Sequence, residues 1–151
     1  MTGIAYLELG PEALDLVRPL WEKLNEHHLV RSPDFRRHYE EMTFESRKED
    51  LLRKERLRVI LAAAGHETIG YCVCSMEGDT GEIDSIFVDE PYRRSGVGET
   101  LVHKALDWLG AGGAKKKIVA IAAGNEAAIP FYEQFGFVPR LTVLELAPGK
   151  R

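Results

Sequence analysis

The sequence predicts a single α+β domain, residues 1–151, in which helices flank a mixed and mostly antiparallel sheet. Apolar runs separated by turn residues fill 57–88, a pattern typical of a strand meander. A helix with one apolar stripe follows at 97–109, and the remaining chain is predicted as strand, helix and strand. A length of 151 residues suits one compact core.

The first fifty residues are predicted to be mainly helical. Ile4–Leu9 alternates imperfectly and predicts a short strand, after which Pro11 opens a pattern of apolar residues at helical spacing. Pro19 lies inside that pattern and is expected to kink or split the helix. A capping box at Ser46–Glu49 predicts a further helix over 47–55.

The middle of the chain predicts three strands and one long helix. Leu57–Ala64 and Ile69–Met76 are apolar runs joined by a Gly-His-Glu-Thr turn, and Glu82–Val88 adds a third strand. The helix over Val97–Leu109 carries its apolar residues on one face, and the glycines from Gly110 onward are expected to end it.

The last third of the chain predicts one strand, one helix and a closing strand. Ile118–Ala123 has the composition of a strand buried on both faces, and Asn125–Phe135 follows as a helix that Gly136 ends. Pro130 cannot donate a hydrogen bond to that helix, so the helix is expected to start late or to kink there. Phe137–Leu146 is the expected closing strand.

Composition and charge argue against several classes of function. The net charge is −4 and the pI about 5.8, which disfavours nucleic acid as a partner because phosphate binding needs a basic surface. No apolar run approaches the roughly 18 residues of a membrane span, and the N-terminus lacks the features of a signal peptide. A cytoplasmic protein that acts away from membranes is therefore expected. Cys72 and Cys74 are expected to be buried thiols, because a disulfide between them would distort a strand.

The segment Arg93–Gly98 lies between a predicted strand and a predicted helix. A strand that runs directly into a helix leaves several backbone N–H groups unpaired at the positive end of the helix dipole, and together they form an anion site. Gly96 and Gly98 allow a phosphate to approach the backbone closely, and Arg93 or Arg94 adds charge at the rim. Turn glycines without a ligand are the alternative interpretation.

Two nucleotide-binding motifs are missing from this chain, and their absence narrows the kinds of phosphate ligand that the loop is expected to bind. A dinucleotide fingerprint needs a third glycine where Leu101 stands, and the chain contains no Gly-x-x-x-x-Gly-Lys-Ser/Thr sequence. The loop also follows the last strand of a meander rather than the first strand of a βαβ unit. These observations favour a pyrophosphate on a different carrier.

Two segments resemble the GNAT superfamily of N-acetyltransferases. Pro91–Gly98, with the sequence Pro-Tyr-Arg-Arg-Ser-Gly-Val-Gly, is similar to that family's acyl-CoA loop, Gln/Arg-x-x-Gly-x-Gly/Ala. Asn125–Phe137, with the sequence Asn-Glu-Ala-Ala-Ile-Pro-Phe-Tyr-Glu-Gln-Phe-Gly-Phe, is similar to the family's Asn-x-x-Ala-x-x-Phe-Tyr-x-x-x-Gly-Phe segment. They occur in the family's order and at its separation, and the predicted elements over 57–137 match the family fold.

The resemblance implies that acetyl-CoA is the cosubstrate, and the lack of a His/Cys ligand cluster implies that no metal takes part. The pantetheine arm would lie along the strand near Ile86, Phe87 and Val88, in a slot where that strand splays from the strand ending near Ala123. Asn125 resembles the family residue that bonds the pantetheine. The pyrophosphate would bind the loop and the first helical turn, at Arg93, Arg94, Ser95, Gly96, Val97, Gly98 and Glu99.

The resemblance further implies direct attack by the acceptor amine on the thioester, without an acyl-enzyme. Asp84 lies on the strand beside the thioester position, where a buried carboxylate with a raised pKa can accept the amine proton. Glu82 on the same face, or the pair His27 and His28, are the alternative bases. Tyr132 resembles the family residue whose hydroxyl faces the sulfur, whereas outside the motif such a tyrosine is more often a core aromatic.

The predicted function is transfer of an acetyl group from acetyl-CoA to a primary amine of a small molecule or a protein. A catalytically silent acyl-CoA-binding or sensor module is the alternative, and the presence of both Asp84 and Tyr132 counts against it. No motif identifies the acceptor or the oligomeric state, for which a homodimer stays an option.

Overall fold

The structure is a computed structural model that describes residues 3–150. The strands within this range are β1 Ala5–Leu9, β2 Arg56–Ala64, β3 Glu67–Glu77, β4 Thr80–Val88 and β5 Lys116–Val119. The α-helices are α1 Arg18–Arg31, α2 Arg36–Glu41, α3 Phe44–Leu52, α4 Val97–Ala111 and α5 Ile129–Glu133. Short 3-10 helices cover Pro11–Val17, Pro33–Phe35, Glu90–Tyr92 and Glu126–Ala128.

All five strands belong to one sheet in the order β1-β2-β3-β4-β5. The first four pair antiparallel, and β5 lies parallel to β4. The hairpin turns place Gly65 and Gly78 at φ +63° and +59°, in the left-handed region that glycine adopts without steric cost. The predicted α+β class, with a mixed and mostly antiparallel sheet flanked by helices, is confirmed.

The hydrophobic core lies between α4 and the central strands. Every residue of β3 from Ile69 to Met76 is buried. A Cβ at Gly81 on β4 would lie only 2.8 Å from Leu109 Cδ2, so the missing side chain allows α4 to pack tightly on the sheet. Each fully buried Leu or Val of this stripe contributes about 1.5–3 kcal/mol of transfer free energy. The apolar face of α4 is completed by Val97, Leu101, Val102 and Ala105.

The chain forms two compact units. The first comprises the chain up to Lys23 together with Thr43–Ala120, and it contains the whole sheet with α3 and α4. The second comprises Leu24–Met42 and the chain from Ile121 onward. In the second unit Tyr132 is buried, whereas all five valines and leucines after Phe137 are exposed, namely Val138, Leu141, Val143, Leu144 and Leu146.

Prolines and caps decide where the helices begin. The predicted split at Pro19 is found, because a 3-10 helix ends at Val17 and α1 begins at Arg18, which leaves Pro19 in the first turn. The predicted capping box at Ser46 is wrong. Thr43 is the N-cap of α3 instead, and its hydroxyl accepts a hydrogen bond from the Ser46 backbone N–H at 3.1 Å.

Two expectations for the last third of the chain are wrong. The strand predicted at Ile118–Ala123, buried on both faces, is the shorter β5. Its residues are exposed or half-buried, since β5 is the last strand in the order of the described sheet and has a strand neighbour on one side only. The closing strand predicted at Phe137–Leu146 makes no ladder with any strand among residues 3–150. Pro139 removes one of the donors that a ladder there would need.

The segment Asn125–Phe135 is helical in two short pieces. A 3-10 turn over Glu126–Ala128 leads into α5, and Pro130 lies in the first turn, so the expected late start is found. Gly136 follows with φ +98°, as a residue that ends a helix commonly does. No helix among residues 3–150 has the length and apolar character needed to cross a membrane.

Candidate active site

The outer edge of β4 is open along half its length. β5 pairs with β4 from Thr80 to Ile83 only, so the next five residues, 84–88, have no strand partner on that side within the described sheet. The backbone N–H and C=O groups of an unpaired edge are available to an extended ligand, in the way that a bound peptide adds a strand. This edge coincides with the predicted pantetheine positions Ile86, Phe87 and Val88.

A β-bulge lies at the beginning of this open edge. On β3, Val73 pairs with Ser85 and Cys74 pairs with Ile83, so Asp84 is the additional residue of β4. Bulges bend a strand and redirect side chains, and they often occur beside active sites. Asp84 is therefore both the bulged residue and the first residue of β4 after the pairing with β5 ends.

The Asp84 carboxylate is buried and incompletely partnered. Its side chain is only 2% exposed, and its Oδ1 lies 3.7 Å from the Lys54 ammonium. Its Oδ2 is buried and has no hydrogen-bond partner within the described part of the chain. Burial raises the pKa of this carboxyl to about 6, with a smaller contribution from Glu82, against the lowering effects of the Ser75 hydroxyl and of Lys54.

Glu82, the alternative base, has a more ordinary environment. Its side chain is 27% exposed, and its Oε1 lies 3.5 Å from Lys54 Nζ. Lys54 thus bridges both carboxylates, but only Asp84 is withdrawn from solvent. Because desolvation is what makes a carboxylate basic near neutral pH, Asp84 is the better placed of the two to accept a proton.

The backbone at the bulge is held by a cation from α3. Arg47 donates from Nη2 to the carbonyl oxygen of Asp84 at 2.8 Å. This bond satisfies a carbonyl that the bulge removes from the ladder, and it brings a second positive charge near the carboxylate. Sequence reasoning found neither Arg47 nor Lys54, since both lie about 30 residues or more from the strand they contact.

The loop before α4 is rich in free backbone N–H groups. Arg94 and Gly96 both have positive φ, +64° and +85°, and the first helical backbone bond runs from Thr100 to the Gly96 carbonyl. The six N–H groups of residues 94–99 have no backbone partner in the described structure, and the last three belong to the first turn of a 15-residue helix. Residues with left-handed backbone conformation in such a loop orient successive N–H groups toward the same concave surface, which can bind an anion.

The two arginines of the loop have different surroundings. Arg93 donates from Nε to the Val88 carbonyl at 2.8 Å, and its guanidinium lies 5.0 Å from the centre of the Phe87 ring. It therefore fastens the loop to the end of β4. The side chain of Arg94 is exposed, which leaves it as the better of the two predicted rim charges.

The second unit contains Asn125 and the histidine pair. Asn125 Oδ1 lies 3.3 Å from His27 Nε2, and Arg31 Nε lies 3.4 Å from His27 Nδ1. His28 is half-buried beside the Tyr39 ring, and its Nδ1 is buried without a partner within residues 3–150. Burial, with a smaller effect of His27, lowers the pKa of His28, so this ring is neutral near pH 7.

Tyr132 also belongs to the second unit. It is 6% exposed, and its ring meets those of Phe131 and Phe137 edge to face, with centroids 5.2 and 5.9 Å away. Its ring therefore packs like the core aromatic of the alternative interpretation. The structure thus groups Asp84 with Lys54 and Arg47 in one unit.

Comparison with known proteins places this chain in a family. The family described as Acetyltransferase (GNAT) family matches residues 20–137. Human N-alpha-acetyltransferase 30 is 34% identical over 83 residues, which cover 52% of this chain and 23% of that protein. The chain thus spans about a quarter of the length of this relative.

Solved structures resemble this one over nearly its whole length. A putative acetyl transferase from Pyrococcus furiosus gives a TM-score of 0.75 at 25% identity, covering 94% of this chain and 99% of the other. Aminoglycoside N-acetyltransferase AAC(6')-Iy in complex with CoA gives 0.70 at 16% identity, covering 99% and 97%. The second likeness shows the fold alone. The family match over residues 20–137, together with the fold, establishes that this chain belongs to the GNAT family of acetyltransferases.

Proposed function

We propose that this chain transfers an acetyl group from acetyl-CoA to a primary amine, by direct attack while both substrates are bound. The observation that carries the proposal is a combination within the first unit: an unpaired strand edge, a loop of free N–H groups at its end, and a buried carboxylate at its beginning. We also propose that residues 1–151 act as one domain, since the family match extends over parts of both units.

The residues present fit coenzyme A. The N–H groups of residues 94–99 suit the pyrophosphate, with Arg94 as an added charge. The free edge at 84–88 suits the amides of the pantetheine arm, and the N–H of Phe87 or Val88 suits the thioester carbonyl. Acetyl-CoA supplies the activated acetyl group.

Asp84 is proposed to accept the proton of the acceptor ammonium. Its pKa of about 6 leaves it ionised at neutral pH, and its buried Oδ2 lacks a partner within the described residues. A carboxylate in this state can take the proton directly or through one water. Lys54 and Arg47 keep the carboxylate ionised despite its burial.

Tyr132 is proposed to donate a hydrogen bond or proton to the thiol as it departs, as the resemblance implies. Direct attack is favoured over an acyl-enzyme by the state of the cysteines. Cys72 and Cys74 are buried, and burial raises the pKa of Cys74 to about 12 and that of Cys72 well above its ordinary value. Neither thiol forms the thiolate that nucleophilic catalysis needs.

The acceptor class is proposed only as a primary amine. The human relative is named an N-alpha-acetyltransferase, and one structural neighbour is named an aminoglycoside N-acetyltransferase. Peptide α-amines and aminoglycosides are therefore the first acceptors to try, together with lysine ε-amines.

The test combines binding and turnover. Isothermal titration calorimetry should show that the native chain binds CoA, and thiol release from acetyl-CoA should accelerate with at least one amine of a panel of peptides, lysine derivatives and aminoglycosides. Binding without acceleration by any amine would favour the silent acyl-CoA-binding module. Absence of CoA binding would remove both functions.

A further inference from the structure

Three polar side chains of the second unit form a continuous chain of hydrogen bonds. Arg31 donates from Nε to His27 Nδ1 at 3.4 Å, one helical turn away on α1. His27 Nε2 lies 3.3 Å from Asn125 Oδ1, although the two residues are 98 positions apart in sequence. The chain therefore ends on the asparagine that the GNAT resemblance assigns to the pantetheine.

The direction of these bonds follows from the donor inventory. A guanidinium only donates, so His27 Nδ1 must accept from Arg31 and carry no proton. The proton of the neutral ring is then on Nε2, which donates to Asn125 Oδ1. The carboxamide is thereby fixed with its oxygen toward His27. Because Oδ1 accepts from His27, Nδ2 is the side-chain atom of Asn125 that remains to donate to a ligand.

The backbone around Asn125 is already fixed by other contacts. Gly124 has φ +95°, and a Cβ there would clash with the Arg31 carbonyl oxygen, so glycine is what allows this close approach to the end of α1. The Asn125 N–H donates to the Ala122 carbonyl at 2.9 Å. With the main chain held, the remaining freedom is rotation of the carboxamide, and His27 selects one orientation.

We propose that His27 and Arg31 are positioning residues that present the Asn125 Nδ2 donor to an amide carbonyl of the pantetheine arm. The inference rests on the proposed function for the identity of that carbonyl. Removing His27 leaves the carboxamide free to rotate or flip, and a flipped carboxamide offers an acceptor where the ligand needs a donor. His27 acts through Asn125, so its loss should weaken cosubstrate binding rather than abolish turnover.

The first measurement concerns the free protein. Long-range ¹H–¹⁵N correlation spectra of the uniformly ¹⁵N-labelled chain, assigned with a His27→Gln variant, should show His27 with a proton on Nε2 and a bare Nδ1 at pH 8. In Arg31→Met the preference for this tautomer should decrease. A native ring protonated on Nδ1 overturns the inference, because that proton would oppose the Arg31 donor.

The second measurement is CoA affinity by calorimetry. His27→Ala should raise the Kd by about fivefold to tenfold, the value of one hydrogen-bonded donor. His27→Gln should stay within about twofold, since its side-chain amide can both donate to Asn125 and accept from Arg31. His66→Ala, in the exposed β2–β3 turn, is the matched control and should leave the Kd unchanged.

The variants separate this inference from the proposed function. A native chain that binds no CoA overturns the proposed function and the pantetheine end of this inference with it. A native chain that binds CoA, together with a folded His27→Ala that binds equally well, overturns this inference alone. His27→Gln could also lose as much affinity as His27→Ala at the same melting temperature. A hydrogen bond donated to Asn125 would then not explain the effect of His27, and this result would also overturn the inference.

Discussion

The first and second units expose the groups that we propose to bind the cosubstrate in different ways. In the first unit the groups are backbone amides of residues 94–99 and the open edge of β4 after Ile83, both set by glycine positions and strand pairing. In the second unit they are side chains, such as Asn125, oriented by a partner 98 residues away. Backbone sites are robust to side-chain changes and sensitive to glycine replacement. Side-chain sites respond to the loss of remote partners.

The largest effect should come from charging the backbone site. Gly98→Asp places a carboxylate among the N–H groups of α4, and at about 4 Å from a phosphate the repulsion amounts to several kcal/mol. The Kd for CoA should rise by on the order of 10²-fold or more, measured by calorimetry. Gly110→Asp, the same change in the last turn of the same helix where a Cβ meets nothing within 4 Å, is the control. Equal affinity in the two variants would show that the loop does not bind the pyrophosphate.

The next largest effect should be on catalysis by Asp84. Asp84→Asn keeps the shape and removes the base, so kcat/KM should fall by on the order of 10²-fold with the CoA Kd nearly unchanged. In the native enzyme kcat/KM should rise with pH through about 6 as the carboxylate forms, and the variant should lack this rise. Glu82→Gln serves as the control on the same face. A larger loss in Glu82→Gln than in Asp84→Asn would exchange their roles.

A smaller effect is expected from the tyrosine of the second unit. Tyr132→Phe removes only the hydroxyl, so kcat and kcat/KM should fall together by about tenfold to 10²-fold, partly offset by water. The dissociation constant for acetyl-CoA should not change. Tyr6→Phe on β1 is the matched control. Full kcat with a lower melting temperature would identify Tyr132 as a core aromatic, consistent with its edge-to-face contacts.

The smallest effect concerns stability. The folded-state pKa of Asp84 lies above its ordinary value of 3.8, so between about 3.8 and 6 the folded chain binds more protons than the unfolded chain. Its contribution to stability therefore decreases as pH rises through that window. Asp84→Asn removes the buried charge and should stabilise the chain at pH 8 by on the order of 1–3 kcal/mol, with little gain at pH 4, in urea denaturation at both values. A stability loss at pH 8 would mean that the ion pair with Lys54 outweighs burial.

The same contrast explains what the sequence could predict. Alternating and glycine-punctuated segments identified β2 to β4, the loop and α4, because these features depend on neighbours within a few residues. The environment of Asp84 could not be predicted, because that environment depends on two distant cations. Arg47 lies on α3, and Lys54 follows the end of α3. The spacing of one helical turn between His27 and Arg31 predicts that their side chains can contact each other. The contact of His27 with Asn125, 98 residues away, could not be predicted from such local spacing.

The errors in the last third of the chain have a related origin. Apolar composition predicted a doubly buried strand at Ile118–Ala123 and a closing strand at Phe137–Leu146. Composition reports which residues favour a strand, whereas pairing requires an adjacent strand in register, and none of the described strands pairs with that last segment. The Thr43 cap was missed for a simpler reason, since two hydroxyl residues stand three positions apart and either could have begun the helix.

The burial of both cysteines has a practical consequence for the chemistry of assays. The chain has two thiols, both on β3 and both fully enclosed, with pKa values far above the working range. Aromatic disulfide reagents that detect liberated CoA should therefore react with the product and give no background signal from the thiols of the folded protein. A single cysteine introduced on an exposed face could carry a fluorophore or spin label without first deleting the native pair. While the protein is folded, its thiols should not react with electrophiles. The rate at which a thiol reagent labels the native chain should therefore report the rate of unfolding.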